Sequence, residues 1–310
     1  MRIIFFGTPD FAVPSLKSLL DAGEDIVAVV TQPDRNKGRG HRLTQPPVKE
    51  YAMTGGITVL QPDSIRSAEF LDTISRLKPD MIAVVAYGKI LPRAILDLPP
   101  KGCINVHASI LPKYRGAAPI QWAIVRGERT TGVTTMLMDE GLDTGDTLLM
   151  ETTEILPEDS ALTLGTRLSA MGARLLIETM RRIREGSVRP VPQSGEASYA
   201  PIIQKDHGRI DWNVSALDIH NLTRGMYPWP GAVCFFRNEK ITLIKTAITD
   251  SAAKGEPGMV ELILENELRV STAGGTLSIV DLKPEGRRTM SGGAFARGRH
   301  IREGMRFEHK

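Results

Sequence analysis

Along roughly the first 185 residues, short apolar runs alternate with amphipathic stretches, the mark of strands and helices following one another. Runs at Ile3–Phe6, Ile26–Val30, Ile57–Leu60, Met81–Ala86 and Cys103–Val106 are predominantly apolar, which predicts strands buried on both faces of a parallel sheet. Helices are predicted between them: Phe11–Leu20 after Pro9-Asp10, and Val48–Met53 after Pro46-Pro47, a pair suited to a helix start. A third covers Ala68–Leu77, where Phe70, Leu71, Ile74 and Leu77 share one face. Leu164, Leu168, Met171 and Leu175 then recur at three-to-four spacing, predicting a long helix from about Ser160, its N-cap, to about Arg184, with Gly186 beyond it. The order is that of an α/β fold, Rossmann-like, with a mostly parallel sheet.

The pattern breaks at residue 187. Pro190, Pro192, Gly195 and Pro201 interrupt any periodicity up to about Gln204, a composition that reads as a linker. Beyond it a helix at about Ser215–Arg224 precedes short β-rich runs at Ala232–Phe236, Ile241–Lys245, Met259–Ile263, Leu268–Ser271 and Leu277–Val280. Gly, Asn or Asp turns separate these runs, which predicts a small OB-like β-barrel. The expected division is therefore a catalytic domain over 1–186, a linker over 187–204 and a β-domain over 205–310. No internal repeat of fixed period is present.

The length of 310 residues fits two domains. Hydrophobic residues at 41% and charged residues at 24% exclude a disordered or fibrous chain. Cys103 and Cys234 are far apart in sequence, form no CxxC pair, and suit a reducing compartment. The opening Met1-Arg2-Ile3-Ile4-Phe5-Phe6-Gly7 is too short in apolar residues for a signal segment, and no later run approaches the ~18 apolar residues of a membrane span. A cytoplasmic protein without a membrane partner is expected. With no coiled coil or long apolar stripe, so is a monomer.

The first strand-to-helix junction, Gly7-Thr8-Pro9-Asp10-Phe11-Ala12, tempts a dinucleotide-binding reading and fails it. The G-x-G-x-x-G fingerprint needs glycines where Pro9 and Ala12 stand, and no P-loop occurs anywhere in the chain. More informative is Asn105-Val106-His107 at a strand end: residues two apart point to the same face, at the carboxyl edge where open α/β sheets bind ligands. A lone strand histidine is more often structural. A second polar cluster, Asp139-Glu140-Gly141-Leu142-Asp143-Thr144-Gly145-Asp146, follows an apolar strand at Val133–Met138; alone it is an ordinary Gly/Asp turn. Together they suggest a trio of Asn105, His107 and Asp143, in which the carboxylate favours the protonated imidazole and orients it. Asn and His then donate to an oxyanion while Asp takes a proton from an attacking amine, the equipment for acyl transfer. Metal is not expected, because the six histidines show no HxH or HExxH spacing.

These residues, with Ser109-Ile110-Leu111-Pro112, the Tyr114-Arg-Gly-Ala-Ala-Pro-Ile-Gln121 run and Gly141-Leu-Asp-Thr-Gly145, resemble the 10-formyltetrahydrofolate-dependent formyltransferases, most closely those acting on Met-tRNA. The likeness extends through Phe6-Gly-Thr-Pro-Asp-Phe-Ala12, Thr31-Gln-Pro-Asp34, Val85-Ala-Tyr-Gly88, Ile90-Leu-Pro92, Ile210-Asp-Trp212 and Pro228-Trp-Pro-Gly231, so it spans both predicted domains. It implies catalytic roles for Asn105, His107 and Asp143. It also implies 10-formyltetrahydrofolate as donor, with Ser109, Ile110, Leu111 and Pro112 in the family's Ser-Leu-Leu-Pro strip; Ile110 is the one departure and stays apolar. The pterin is expected among the Ala86–Pro92 and Asp139–Asp143 loops, near Tyr87, Gly88, Ile90, Leu91 and Asp139, read mainly by backbone groups.

Resolving the net charge of +3 along the chain adds a partner. Residues 34–49 carry five Lys/Arg and one acid, and residues 283–310 carry eight against three, leaving −6 for the remainder. Clustered charge of this kind suits a polyanion. The resemblance implies that a mobile basic loop reaches the acceptor end of initiator Met-tRNA, with Arg35, Lys37, Arg39 and Arg42 as contacts, while the β-domain follows the phosphates. The trio alone does not choose the acceptor, so a sister formyltransferase acting on a small amine, such as an amino-sugar nucleotide or glycinamide ribonucleotide, stays open. A nucleotide-dependent dehydrogenase is disfavoured by the missing glycines. A non-enzymatic RNA-binding protein would require the trio to be incidental.

Overall fold

A computed structural model describes residues 1–37, 42–249 and 252–308. Its strands up to residue 154 are β1 (Arg2–Gly7), β2 (Asp25–Val30), β3 (Arg35–Lys37), β4 (Arg42–Thr44), β5 (Val59–Leu60), β6 (Met81–Val85), β7 (Cys103–His107), β8 (Thr130–Leu137) and β9 (Thr147–Glu154). The helices are α1 (Val13–Asp21), α2 (Pro47–Thr54), α3 (Ala68–Arg76), α4 (Arg93–Leu96), α5 (Pro119–Val125) and α6 (Ala161–Glu185). Seven strands form one sheet in the order β5-β2-β1-β6-β7-β8-β9. The first five are parallel to their neighbours, whereas β8 runs antiparallel to β7 and β9 antiparallel to β8. The fold is thus Rossmann-like and mostly parallel.

The apolar runs become strands because both faces of the sheet are covered. Ile4, Phe6, Ile82 and Val84 pack with Phe70 and Ile74 of α3 on one side, and Phe6 meets Tyr87 edge to face at 5.0 Å. On β7 the alternation is functional: Val106 faces Gly172 of α6, where an added Cβ would lie 2.7 Å from its methyl, while Asn105 and His107 share the opposite face. Ser160 caps α6, accepting the Thr163 N–H at 3.3 Å.

Several boundaries differ from the sequence pattern. Asp10–Ala12 forms a tight 3-10 turn and α1 begins only at Val13, with Pro14 in its first turn where no donor is needed. Ala86 leaves the sheet with φ of 47°. The basic stretch read as a mobile loop is in part a hairpin, with Arg35 opposite Thr44 and Lys37 opposite Arg42.

The chain divides into two units, Met1–Pro119 with Thr130–Glu154 and Gly165–Ala200, and Ile120–Arg129 with Ile155–Leu164 and Pro201–Lys310. Residues 187–200 are stitched into the first unit, since the Thr147 N–H donates to the Val191 carbonyl at 2.8 Å and the Arg115 N–H to that of Ser198 at 2.8 Å. The second unit adds α7 (Ala216–Gly225), β10 (Ala232–Phe236), β11 (Glu239–Thr249), β12 (Val260–Ile263), β13 (Leu268–Thr272), β14 (Gly275–Pro284), β15 (Met290–Ser291) and α8 (Gly292–Gly298). Its antiparallel sheet runs β10-β11-β14-β13-β12, with β15 beside β14. The C-terminal segment bridges both edges: Glu308 donates its N–H to the Phe235 carbonyl and Val260 to that of Met305. Trp212, Phe236, Phe295 and Phe307 fill its core. Among the described residues, no helix is long and apolar enough to cross a membrane.

Candidate active site

The β7 register places Asn105 opposite Met136 and His107 opposite Thr134 of β8, and the loop after β8 returns to the polar face of β7. Asn105 and His107 are 8% and 5% exposed. Asp143 approaches both: its Oδ2 lies 3.7 Å from His107 Nδ1, and Asn105 Nδ2 donates to its Oδ1 at 3.5 Å. The three residues predicted from spacing are therefore brought together.

Main-chain groups complete the arrangement. His107 Nε2 lies 2.9 Å from the Tyr114 carbonyl. A carbonyl only accepts, so this nitrogen carries a proton and Nδ1 is left for Asp143 and a substrate. The Gly116 N–H donates to Asp143 Oδ2 at 2.8 Å, the shortest bond that carboxylate makes. Gly116, at φ of 118°, comes so near Ala200 that a Cβ would lie 2.7 Å from its carbonyl oxygen. At Gly145 a Cβ would overlap the Leu137 carbonyl oxygen, so only glycine lets the loop fold back on β8.

The Ser109–Pro112 strip leaves β7 directly. The Ser109 hydroxyl donates to the Lys113 carbonyl at 2.6 Å, and Thr134 braces the strip, donating to the Ser109 carbonyl at 2.7 Å and accepting the Leu111 N–H at 3.2 Å. Of the predicted pterin loop, Tyr87 and Leu91 are buried in the core, Ile90 is exposed, and Gly88 stands at φ of 79°. Burial pushes the Tyr87 phenol up to about 12. The Asp139 carboxylate is taken up inside its own loop by the Gly141 N–H and the Thr144 hydroxyl. Beside the Asp139 loop a hollow of about 580 Å³ is lined in part by Leu96, Cys103, Met138, Asp139 and Glu140. Cys103 is free, and burial raises its thiol to about 12, so it is no nucleophile. Among the described residues, no cluster of three or more His, Cys, Asp or Glu could hold a metal ion.

The predicted RNA contacts are less fully placed. Arg35 is exposed on β3; Lys37 and Arg42 sit on the hairpin strands, and Arg39 lies outside the described residues. Lys49, counted in the basic stretch, is engaged by Asp34 at 2.8 Å and Gln61 at 2.7 Å. Two cations of the C-terminal stretch are also paired, Arg299 with Glu239 and Arg306 with Glu256.

Gln193 and Thr134 do not emerge from sequence reasoning. Gln193 donates from Nε2 to the carbonyls of Asp143 and Gly145, both at 2.8 Å, and accepts from Arg115. The available signals were a polar residue amid prolines and one of the four threonines of β8. Neither signal names its partner.

Comparison with known proteins bears on this geometry. The family model described as formyl transferase matches residues 1–180, and that described as formyl transferase, C-terminal domain, matches 202–300. A methionyl-tRNA formyltransferase of Thermodesulfovibrio yellowstonii is 52% identical over 303 residues, covering 98% of this chain and 97% of its own. Among solved structures, an N-formyltransferase from Helicobacter canadensis in complex with folinic acid and dTDP-3-aminofucose is similar with a TM-score of 0.68, 22% identity, and coverage of 90% of this chain and 98% of that one. A methionyl-tRNA formyltransferase from Clostridium thermocellum is similar with a TM-score of 0.57, 15% identity, and coverage of 81% and 94%. At such identities the two structures speak for the fold alone.

Proposed function

Since the chain belongs to the formyl transferase family, we infer that it transfers a formyl group from 10-formyltetrahydrofolate to the α-amino group of methionine on initiator Met-tRNA. The choice of acceptor is carried by the 52% identity to a methionyl-tRNA formyltransferase across nearly the whole of both chains; the likeness to a sugar N-formyltransferase, at 22%, is one of fold.

Bound 10-formyltetrahydrofolate supplies an electrophilic formyl carbon on a nitrogen leaving group. The hollow beside the Asp139 loop has the volume of a small-molecule site, typically ~300–1,000 Å³, and supports a flat heterocycle bound there. The family resemblance adds the strip Ser109–Pro112 and the backbone around Gly88 as further contacts to the donor. Asp143 would accept the proton of the attacking amine, directly or through water, and that proton would pass to the folate nitrogen as its bond to the formyl carbon breaks. Asn105 Nδ2 and, with a proton on Nδ1, His107 donate to the charge that develops on the formyl oxygen. Tyr114 holds His107 by its other nitrogen, so the ring is oriented before any substrate arrives.

The acceptor would be held by Arg35, Lys37, Arg39 and Arg42 and by the OB-like β-domain over 205–310, joined through 187–204 to a catalytic domain over 1–186. A monomer acting in the cytoplasm, where aminoacylated tRNA is used, completes the reading. Incubating the purified chain with 10-formyltetrahydrofolate and Met-tRNA should yield formyl-methionine on deacylation, with uncharged tRNA and an amino-sugar nucleotide inert. Transfer to the sugar nucleotide and not to Met-tRNA would replace the assignment. Asp143→Asn should lower kcat by ~10²–10⁴ with tRNA affinity intact, and near-normal turnover would remove Asp143 from the mechanism.

A further inference from the structure

We propose that Gln193 is a positioning residue that fixes the Asp143 carboxylate before His107 by closing a hydrogen-bonded ring with Arg115. Its carboxamide donates from Nε2 to the Asp143 and Gly145 carbonyls, each at 2.8 Å. Its Oε1 accepts from Arg115 Nε at 3.1 Å and Nη2 at 2.7 Å. The orientation is unambiguous: reversed, the amide would set its oxygen against two carbonyls and its NH₂ against a guanidinium that only donates.

From the Arg115 side chain the path follows the backbone to the Gly116 N–H, which returns to Asp143 Oδ2 at 2.8 Å. One frame therefore holds Asp143 by its main chain and by its carboxylate. It needs holding for two reasons. Asp143 sits at φ of 53°, a left-handed conformation that costs energy for any residue with a Cβ. Its distances to Asn105 and His107, 3.5 and 3.7 Å, are too long to anchor it. The same segment also positions the histidine, because the Ser198 hydroxyl accepts the Tyr114 N–H at 2.9 Å and the Tyr114 carbonyl holds His107 Nε2. A stretch whose composition reads as a connector is thus the clamp across both site loops.

The proposal deepens the formyl-transfer reading, and its test separates the two. Gln193→Met preserves length and removes every polar contact; Gln193→Glu keeps the Arg115 partner and turns a carboxylate toward two carbonyls. Misplacing a reacting group by about 1 Å costs ~10²-fold, so both variants should lower kcat by about 10- to 100-fold while KM for Met-tRNA stays within about twofold. Arg115→Met should do the same, and the double variant Gln193→Met/Arg115→Met should be no worse than either single one, as for residues in one ring. In parallel, hydrogen exchange of the Gly116 amide, read by NMR at constant temperature, should accelerate at least about tenfold in Gln193→Met, because its acceptor is no longer held. A folded Gln193→Met with kcat within twofold of the unmodified chain overturns the proposal, as do additive losses in the double variant. If the unmodified chain transfers no formyl group to Met-tRNA, the functional reading fails by itself, and Gly116 exchange still decides: unchanged protection overturns the clamp, and lost protection upholds it.

Discussion

Thr134→Val isolates what the strip after β7 owes to one hydroxyl. Thr134 is fully buried, opposite His107 in the sheet, and its oxygen makes two bonds, to the Ser109 carbonyl at 2.7 Å and from the Leu111 N–H at 3.2 Å. Valine has nearly the same shape, so little cavity arises. The cost is a buried donor and a buried acceptor left unpaired, each worth ~1–3 kcal/mol, set against about 1 kcal/mol recovered by no longer burying the hydroxyl. A net loss of about 1–5 kcal/mol follows, or, at about 3 °C per kcal/mol for a unit of this size, a fall in Tm of roughly 3–15 °C. Thr134→Ser keeps both bonds, removes one methyl and should cost only about 1 kcal/mol. Urea and thermal unfolding followed by circular dichroism give both numbers. In the folded fraction of Thr134→Val, KM for 10-formyltetrahydrofolate should rise while KM for Met-tRNA holds, because the loosened strip lies on the proposed donor side. If the serine variant loses as much stability as the valine variant, the hydrogen bonds are not what Thr134 contributes.

Other consequences are equally direct. Burial, and secondarily the charge of Arg224, push the His220 imidazole from 6.5 down to about 4. The folded chain keeps it neutral, so its contribution is complete above pH 6.5 and is lost as pH falls toward 4; allowing for the solvent that still reaches the half-buried ring, that loss is about 1–2 kcal/mol. His220→Gln should flatten the pH dependence of the urea midpoint across this window, and an unchanged slope would contradict it. Gly145→Ala forces a Cβ onto the Leu137 carbonyl, and should abolish turnover or solubility, whereas alanine at the open, helix-end Gly298 should be tolerated. Neutralising Arg35 and Arg42 together should raise KM for Met-tRNA and reduce the magnitude of its salt dependence by about two charges, measured between 50 and 200 mM salt. An unchanged slope would favour the small-amine acceptor.

The runs at Ile3–Phe6, Cys103–Val106 and Ala232–Phe236 and the stripe Leu164, Leu168, Met171 and Leu175 announce themselves because burial imposes a period on neighbouring residues. Strand β9 is a different case: its Thr147–Glu154 sequence is half polar because it closes the sheet's edge, where only one side is covered. Helix α8, Gly292–Gly298, carries three glycines that weaken any local helix signal, and tertiary packing against Leu268 and Glu265 requires the first two, Gly292 and Gly293. The hairpin β3–β4 was hidden by its own charge, since a basic stretch reads as loop whether or not its backbone pairs.

The candidate site divides in the same way. Spacing alone put Asn105 and His107 on one face, since a strand alternates with period two, and the Gly/Asp loop announced Asp143 as a candidate partner. That the loop returns to β7 follows from β8 and β9 turning antiparallel, a choice made by pairing and not by any residue type. Gln193 lies 50 residues from Asp143 and 78 from Arg115. Local sequence determines which elements form and which way their side chains point; the meeting of groups so distant is decided by the folded chain, because a hydrogen bond selects its partner by position in space.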